Sequence, residues 1–130
     1  MTRKVSTRTP WEPVVGYSRA VAAGDYVFVS GCTSVSDGVL VGAGDARAQT
    51  AQAIANVAHA LDQLGLSLAD VVRTRMYVTD ISRWEEYGLA HGAAFGETMP
   101  ATSMIGVAAL VDPRMLIEVE AVAYKPGVGG

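Results

Sequence analysis

The chain is poor in cysteine, histidine and basic residues, and it has no internal repeat or low-complexity segment. A single cysteine, Cys32, in 130 residues excludes an internal disulfide and any multi-cysteine metal site. The two histidines, His59 and His91, lie on different predicted helices. His59 faces away from the second of them, so there is no two-histidine metal motif, and neither a metal nor a cofactor is expected. Charge-free stretches such as Thr98 to Val111 end after 14 residues, short of the ~18 a membrane span needs. Arg3, Lys4 and Arg8 open the chain without an apolar segment behind them, so no secretory signal is expected. Those three precede every acidic residue, and the chain beyond Arg8 carries seven basic against 13 acidic. A broad phosphate-neutralising surface is therefore disfavoured. The expectation is a cytoplasmic protein with no nucleic-acid or membrane partner.

What is present fits one domain spanning residues 1–130. Half the residues are hydrophobic and 18% are charged. That is too apolar for disorder and more apolar than a lone small monomer needs, so some apolar surface is expected between chains. Ser18 to Ala22 and Tyr26 to Ser30 read as strands joined by the Ala23-Gly24-Asp25 turn. Val39 to Val41 reads as a further extended piece. Trp11 to Pro13 reads as a loop fixed by prolines, and Gly127 to Gly130 as a frayed tail. Asp45 to Leu64 reads as a helix, with Asp45 as N-cap, Ile54, Val57, Leu61 and Leu64 at helical spacing, and Gly65 at its end. Val71 to Thr79 is a strand with Arg73, Arg75 and Tyr77 on one face. Ser82 with Glu85 is a capping box opening a second helix, with Trp84, Tyr87, His91 and Phe95 along one stripe. Ala101 to Val111 and Met115 to Tyr124 read as a closing hairpin turned at Asp112-Pro113. The fold class expected is α+β, one mixed sheet with two helices on one face. The other face carries Arg73, Arg75, Tyr77, Glu118 and Glu120 among apolar residues.

Several features tempt a chemical reading. Gly42-Ala43-Gly44 with Asp62 suggests a dinucleotide loop, but Arg47 holds the third glycine position and Asp62 falls inside a helix, so a flexible loop before an N-cap fits better. Arg73, Arg75, Glu118 and Glu120 can form a carboxylate clamp beside a water-orienting carboxylate. From spacing alone an ion-pair lattice between strands or subunits fits better, since structural ion pairs are common. Cys32 has no evident base beside it and reads as a small buried apolar residue. Ser30 and Ser103 lack a nucleophile elbow.

Certain segments, taken in order, resemble the RidA (YjgF) family of reactive-intermediate deaminases along nearly the whole chain. They are Gly16-Tyr17, Tyr26 to Gly31, Ala48 to Gly65, Val71 to Asp80, Pro100-Ala101-Thr102-Ser103 and Ile117 to Ala121. The resemblance implies a chorismate-mutase-like subunit, three of which associate through their sheets into a central barrel with a small-molecule cleft at each interface. It implies hydrolysis of an imine or enamine, with Glu118 orienting the attacking water and Tyr17, Ser30 and Gly31 lining the cleft. The family's substrate-binding arginine has Thr102 in its place, Gly88 stands where the family often has asparagine, and Met104 where it has cysteine. The chain thus reads as a divergent member that keeps the water-orienting half and lacks the carboxylate clamp. Thr102 would meet substrate through its hydroxyl, and Arg75 is the candidate replacement cation.

The leading function is hydrolysis of an imine, enamine or related small molecule other than the usual 2-imino acid. The alternative is a non-catalytic trimeric small-molecule-binding or regulatory protein, which full pairing of Glu118 with Arg75 would favour. A ribonuclease or translation inhibitor, in line with older family labels, is opposed by the acidic balance and the lack of a histidine pair.

Overall fold

A computed structural model of the protein describes residues 2–130. Its elements are β1 (Thr2–Val5), α1 (Trp11–Val15), β2 (Ala20–Ala23), β3 (Tyr26–Cys32), β4 (Val35–Ser36), β5 (Val39–Leu40), α2 (Ala46–Asp62), β6 (Val71–Val78), α3 (Trp84–Phe95), β7 (Ala101–Gly106) and β8 (Ile117–Tyr124). Six strands form one sheet in the order β1-β2-β3-β8-β6-β7, and β4 and β5 pair separately. Within the large sheet only β6 and β7 run parallel.

Local chemistry accounts for the best-defined elements. Gly24, at φ 60°, makes the turn that pairs Ala23 with Tyr26, a conformation glycine adopts without penalty. The Asp45 carboxylate accepts from the Ala48 N–H at 3.0 Å and starts α2. Gly65, at φ 80°, turns the chain out of the helical segment. α2 buries Ala53, Ile54, Val57, Ala60 and Leu61, and it packs on β3 and β8. On the sheet side this core receives Val27, Val29, Met76, Val78, Ile117, Val119 and Ala121. Each such Val, Leu or Ile contributes about 1.5–3 kcal/mol when fully buried. The opposite sheet face stays open and mixed. Tyr26, Phe28 and Tyr124 are about half exposed there, with Tyr26 edge-on to Tyr124 at 5.2 Å.

Five expectations need correction. Ala101 to Val111 and Met115 to Tyr124 do not form a hairpin: β7 follows β6 through α3 and joins it in parallel, as a helical crossover allows. β8 inserts between β3 and β6. Trp11 to Val15 is helical, not a loop: Pro10 stands at its N-cap position with φ already set at -65°, and Pro13 occupies its first turn, where a missing N–H is harmless. It makes a third helix beside the two expected. Ser82 does not cap α3; Asp80 instead accepts from the Ser82 N–H and caps a 3-10 turn ahead of the helix, and a capping box forms at Ser67 and Asp70. Trp84 is 57% exposed and leaves the stripe that Tyr87 and Phe95 bury. The tail is bound: Arg3 donates to the Val128 carbonyl at 3.0 Å, and the Gly129 N–H donates to the Gly24 carbonyl at 2.8 Å.

Candidate functional site

The register of β3 against β8 slips between Val29 and Cys32, so Ser30 and Gly31 form a bulge that frees local backbone groups from the ladder. Ser30 Oγ donates to the Ser18 carbonyl at 2.7 Å. Arg19, one residue before β2 and only 7% exposed, donates from Nη1 to the carbonyls of Gly31 at 2.6 Å and Ser30 at 3.3 Å. Its Nη2 donates to the Tyr17 hydroxyl at 3.2 Å. Tyr17 in turn lines an open cavity of about 630 Å³ that also takes in Ser6, Arg8, Glu12 and Gly16.

Glu118 lies against the bulge from β8. A Cβ on Gly31 would stand 2.5 Å from Glu118 Cδ, so the carboxylate occupies the space that only a glycine leaves. Burial pushes the Glu118 carboxyl above its ordinary value, the neighbouring Glu120 adds to this, and Arg19 pulls it back. Glu118 accepts no hydrogen bond from any described residue, whereas Glu120 accepts one from the Tyr77 hydroxyl at 2.7 Å. That bond, with burial and the Glu120 charge, raises the Tyr77 pKa.

The arginines do not form the expected lattice within the chain. Arg73 donates to Ser103 Oγ at 2.7 Å. Arg75 stands opposite Glu120 in register, and among the described residues it makes no salt bridge; the two that exist join Arg83 to Glu86 and Arg114 to Asp112. Nor can Arg75 stand in for an arginine at position 102 within one subunit. The parallel register sets Thr74 beside Thr102 and Arg75 beside Ser103, and period-two alternation sends the two pairs to opposite faces. Thr102 Oγ1 bonds to Thr74 Oγ1 at 2.8 Å and donates to the Pro100 carbonyl at 3.1 Å. Thr74 Oγ1 meets His91 Nε2 at 2.8 Å. Every group is satisfied if Nε2–H donates to Thr74, Thr74 to Thr102 and Thr102 to Pro100. Burial lowers the His91 pKa, which favours the neutral ring, and its Nε2–H tautomer supplies the first donor of this run.

Cys32 is buried, and burial pushes its thiol pKa up while Arg19 pulls it down. That environment suppresses a thiolate nucleophile. The expected residues thus fall into two groups. Tyr17, Ser30, Gly31 and Glu118 come together, and Thr102 sits with Thr74 and His91 across the sheet. Arg19 belongs to the first group, and sequence reasoning misses it. The available signal is a lone arginine in the otherwise uncharged run from Val14 to Gly24.

A mixed sheet covered on one face, with a half-buried carboxylate lying on a glycine bulge, defines an α+β fold with a candidate site on its open face. Comparison with known proteins gives the family. Residues 7–125 match the family model described as endoribonuclease L-PSP. An uncharacterised protein of Streptomyces coelicolor is 36% identical over 97% of this chain and 94% of its own length. The 2-iminobutanoate/2-iminopropanoate deaminase of Salmonella typhimurium is 30% identical over 96% of this chain and 99% of its own. A crystal structure of a YjgF/YER057c/UK114 family member from Mycobacterium tuberculosis superposes with a TM-score of 0.87 at 49% identity, covering 95% of this chain and 99% of that one. The chain belongs to this family, known also as YjgF or RidA. Among the described residues no helix is long and apolar enough to cross a membrane.

Proposed function

We propose that the protein hydrolyses a C–N bond in a small imine or enamine, at clefts completed between the subunits of a homotrimer. The observation that carries this reading is Glu118, a half-buried carboxylate on Gly31 with no hydrogen-bond or salt-bridge partner among the described residues. A carboxylate spent on structure would hold such a partner; one kept for chemistry is left able to accept a proton from water. Ionised Glu118 orients a water toward the imine carbon and takes its proton as the C–O bond forms. Glu118 returns that proton to the nitrogen, and the carbinolamine expels ammonia as its hydroxyl proton is relayed to the nitrogen and the carbonyl forms; an enamine first becomes the imine by moving a proton from nitrogen to carbon. Tyr17, Ser30 and Gly31 form the near wall. Thr102 forms a far wall without charge, and because it lies on the other sheet face, a cleft using both walls requires a neighbouring subunit. The open aromatic face around Tyr26, Phe28 and Tyr124 is the surface available for that association.

The Salmonella relative is named for 2-imino acids. A two-bond arginine clamp on such a carboxylate would be worth about 3–6 kcal/mol, or roughly two to four orders of magnitude in binding. With Thr102 at that position, the substrate proposed here is an imine or enamine whose recognition does not depend on that clamp. Ammonia release from imines generated by an amino-acid oxidase, run beside neutral imines, tests the choice. Glu118→Gln should lower turnover by at least ~10²-fold and leave the oligomeric mass, about three chains by light scattering, intact. A monomeric wild type, or a Glu118→Gln protein that falls apart, would sink the interfacial site.

A further inference from the structure

Arg19 is the anomaly of the site. A buried guanidinium usually faces a carboxylate, yet this one makes its hydrogen bonds to neutral groups. They are the carbonyls of Ser30 and Gly31, the Tyr17 hydroxyl, Thr7 Oγ1 and Cys32 Sγ. Resting on the reading of Glu118 above, we propose that Arg19 is the positioning residue of the site: it holds the Gly31 carbonyl in a hydrogen bond while the Glu118 carboxylate fills the space where a Gly31 side chain would stand, and it directs the Tyr17 proton into the cleft. The Nη2–H occupies a lone pair of the Tyr17 oxygen, so the phenol proton points elsewhere and can be donated to a bound molecule. Only glycine allows the close approach of Glu118, and the forked donors of an arginine can hold both bulge carbonyls and the phenol at once.

The charged and titratable groups around Glu118 agree. Glu120 on its own strand and burial oppose its ionisation, and Arg19 is the cation that favours it. Tyr77 stands opposite in register on β6 and donates its hydroxyl hydrogen bond to Glu120 instead. Cys32, from β3, is a buried neutral thiol.

The test is a carboxyl carbon NMR titration of Glu118, assigned by its loss in Glu118→Gln, in wild type, Arg19→Gln and Arg19→Lys, with pH–rate profiles on the same samples. Arg19→Gln should raise the Glu118 midpoint by about one pH unit and carry the acid limb of the rate profile with it. Arg19→Lys keeps the charge without the fork. It should titrate near wild type yet turn over about tenfold or more slowly, because the bulge and phenol are no longer aligned. A folded Arg19→Gln with an unmoved Glu118 midpoint overturns the proposal, as does full turnover in Arg19→Lys. If Arg19→Gln does not fold, Arg19→Lys decides: a wild-type midpoint with lost turnover supports the role, and a displaced midpoint refutes it. If wild type releases no ammonia from any imine, the functional reading fails, while the titration still decides whether Arg19 governs Glu118.

Discussion

Glu12 is only 5% exposed, and its carboxylate accepts four hydrogen bonds, from Ser6 Oγ, Thr7 Oγ1, Thr9 Oγ1 and the Thr9 N–H, at 2.8 to 3.1 Å. Glu118, half-buried on β8, accepts none from any described residue. Burial acts on both in the same direction, raising the pKa. At Glu12 the four donors overcome it and hold the carboxyl at about 2; at Glu118 burial and Glu120 prevail over Arg19 and the pKa goes up. A carboxylate whose lone pairs are filled by the fold organises a loop and has little basicity left to offer. One set on a glycine bulge with its lone pairs open retains basicity for a water molecule.

Exchanging each glutamate for glutamine should expose that contrast most strongly. Bonds to a charged acceptor contribute about 1.5–3 kcal/mol each, and an amide would turn an N–H₂ toward donors, so Glu12→Gln should destabilise the protein by about 3 kcal/mol. Urea unfolding across pH sharpens the comparison. Glu12 titrates lower in the fold than its ordinary 4.5, so its contribution is complete above about 4.5 and is lost as pH falls toward about 2. Glu118 titrates higher in the fold, so between its ordinary and raised values the folded state holds the extra proton and stability falls as pH rises. Glu12→Gln should flatten the first slope and Glu118→Gln the second. Equal slopes in both variants would show that the two environments do not differ as described.

Gly31→Ala tests the bulge with a smaller effect on stability. The added methyl must displace the Glu118 carboxylate, an overpacking that costs about 1–3 kcal/mol, and the misplaced base should lower turnover about 10²-fold. Alanine at Gly88, in the middle of α3 with nothing within 4 Å of the new Cβ, should instead stabilise by about 0.5–1 kcal/mol. Thermal unfolding and ammonia release on the pair separate crowding at the site from the general effect of losing a glycine.

These sites differ in how far they are legible from sequence. α2 is readable because its signals are local: the Asp45 cap, the Ile54, Val57 and Leu61 spacing, and Gly65 beyond the end. The face carrying Glu118 is readable because strand alternation leaves one choice for β8. The partner of β7 is not, since an apolar strand after a turn-rich loop satisfies a hairpin and a parallel edge equally, and the α3 crossover decides between them. β1 owes its existence to β2 and to the bound tail at Val128, neither of which is near it in sequence. Arg19 escapes because its partners are backbone carbonyls freed by a bulge, and periodicity does not announce a bulge.

The smallest expected effect concerns Thr102, where the two walls of the proposed cleft differ most. Its proton is committed to the Pro100 carbonyl and its oxygen to Thr74, at the end of a run of hydrogen bonds that begins at neutral His91. Thr102→Val keeps the shape and removes the hydroxyl, leaving Thr74 with His91 as its remaining partner. One neutral hydrogen bond at an exposed edge is worth about 1 kcal/mol, so the melting temperature should fall by a few degrees at most. Turnover should stay close to wild type, because in this arrangement the wall contributes bulk and no charge. A Thr102→Val protein with unchanged stability and abolished turnover would mean that the hydroxyl leaves Thr74 to bind substrate. The far wall would then be as chemical as the near one.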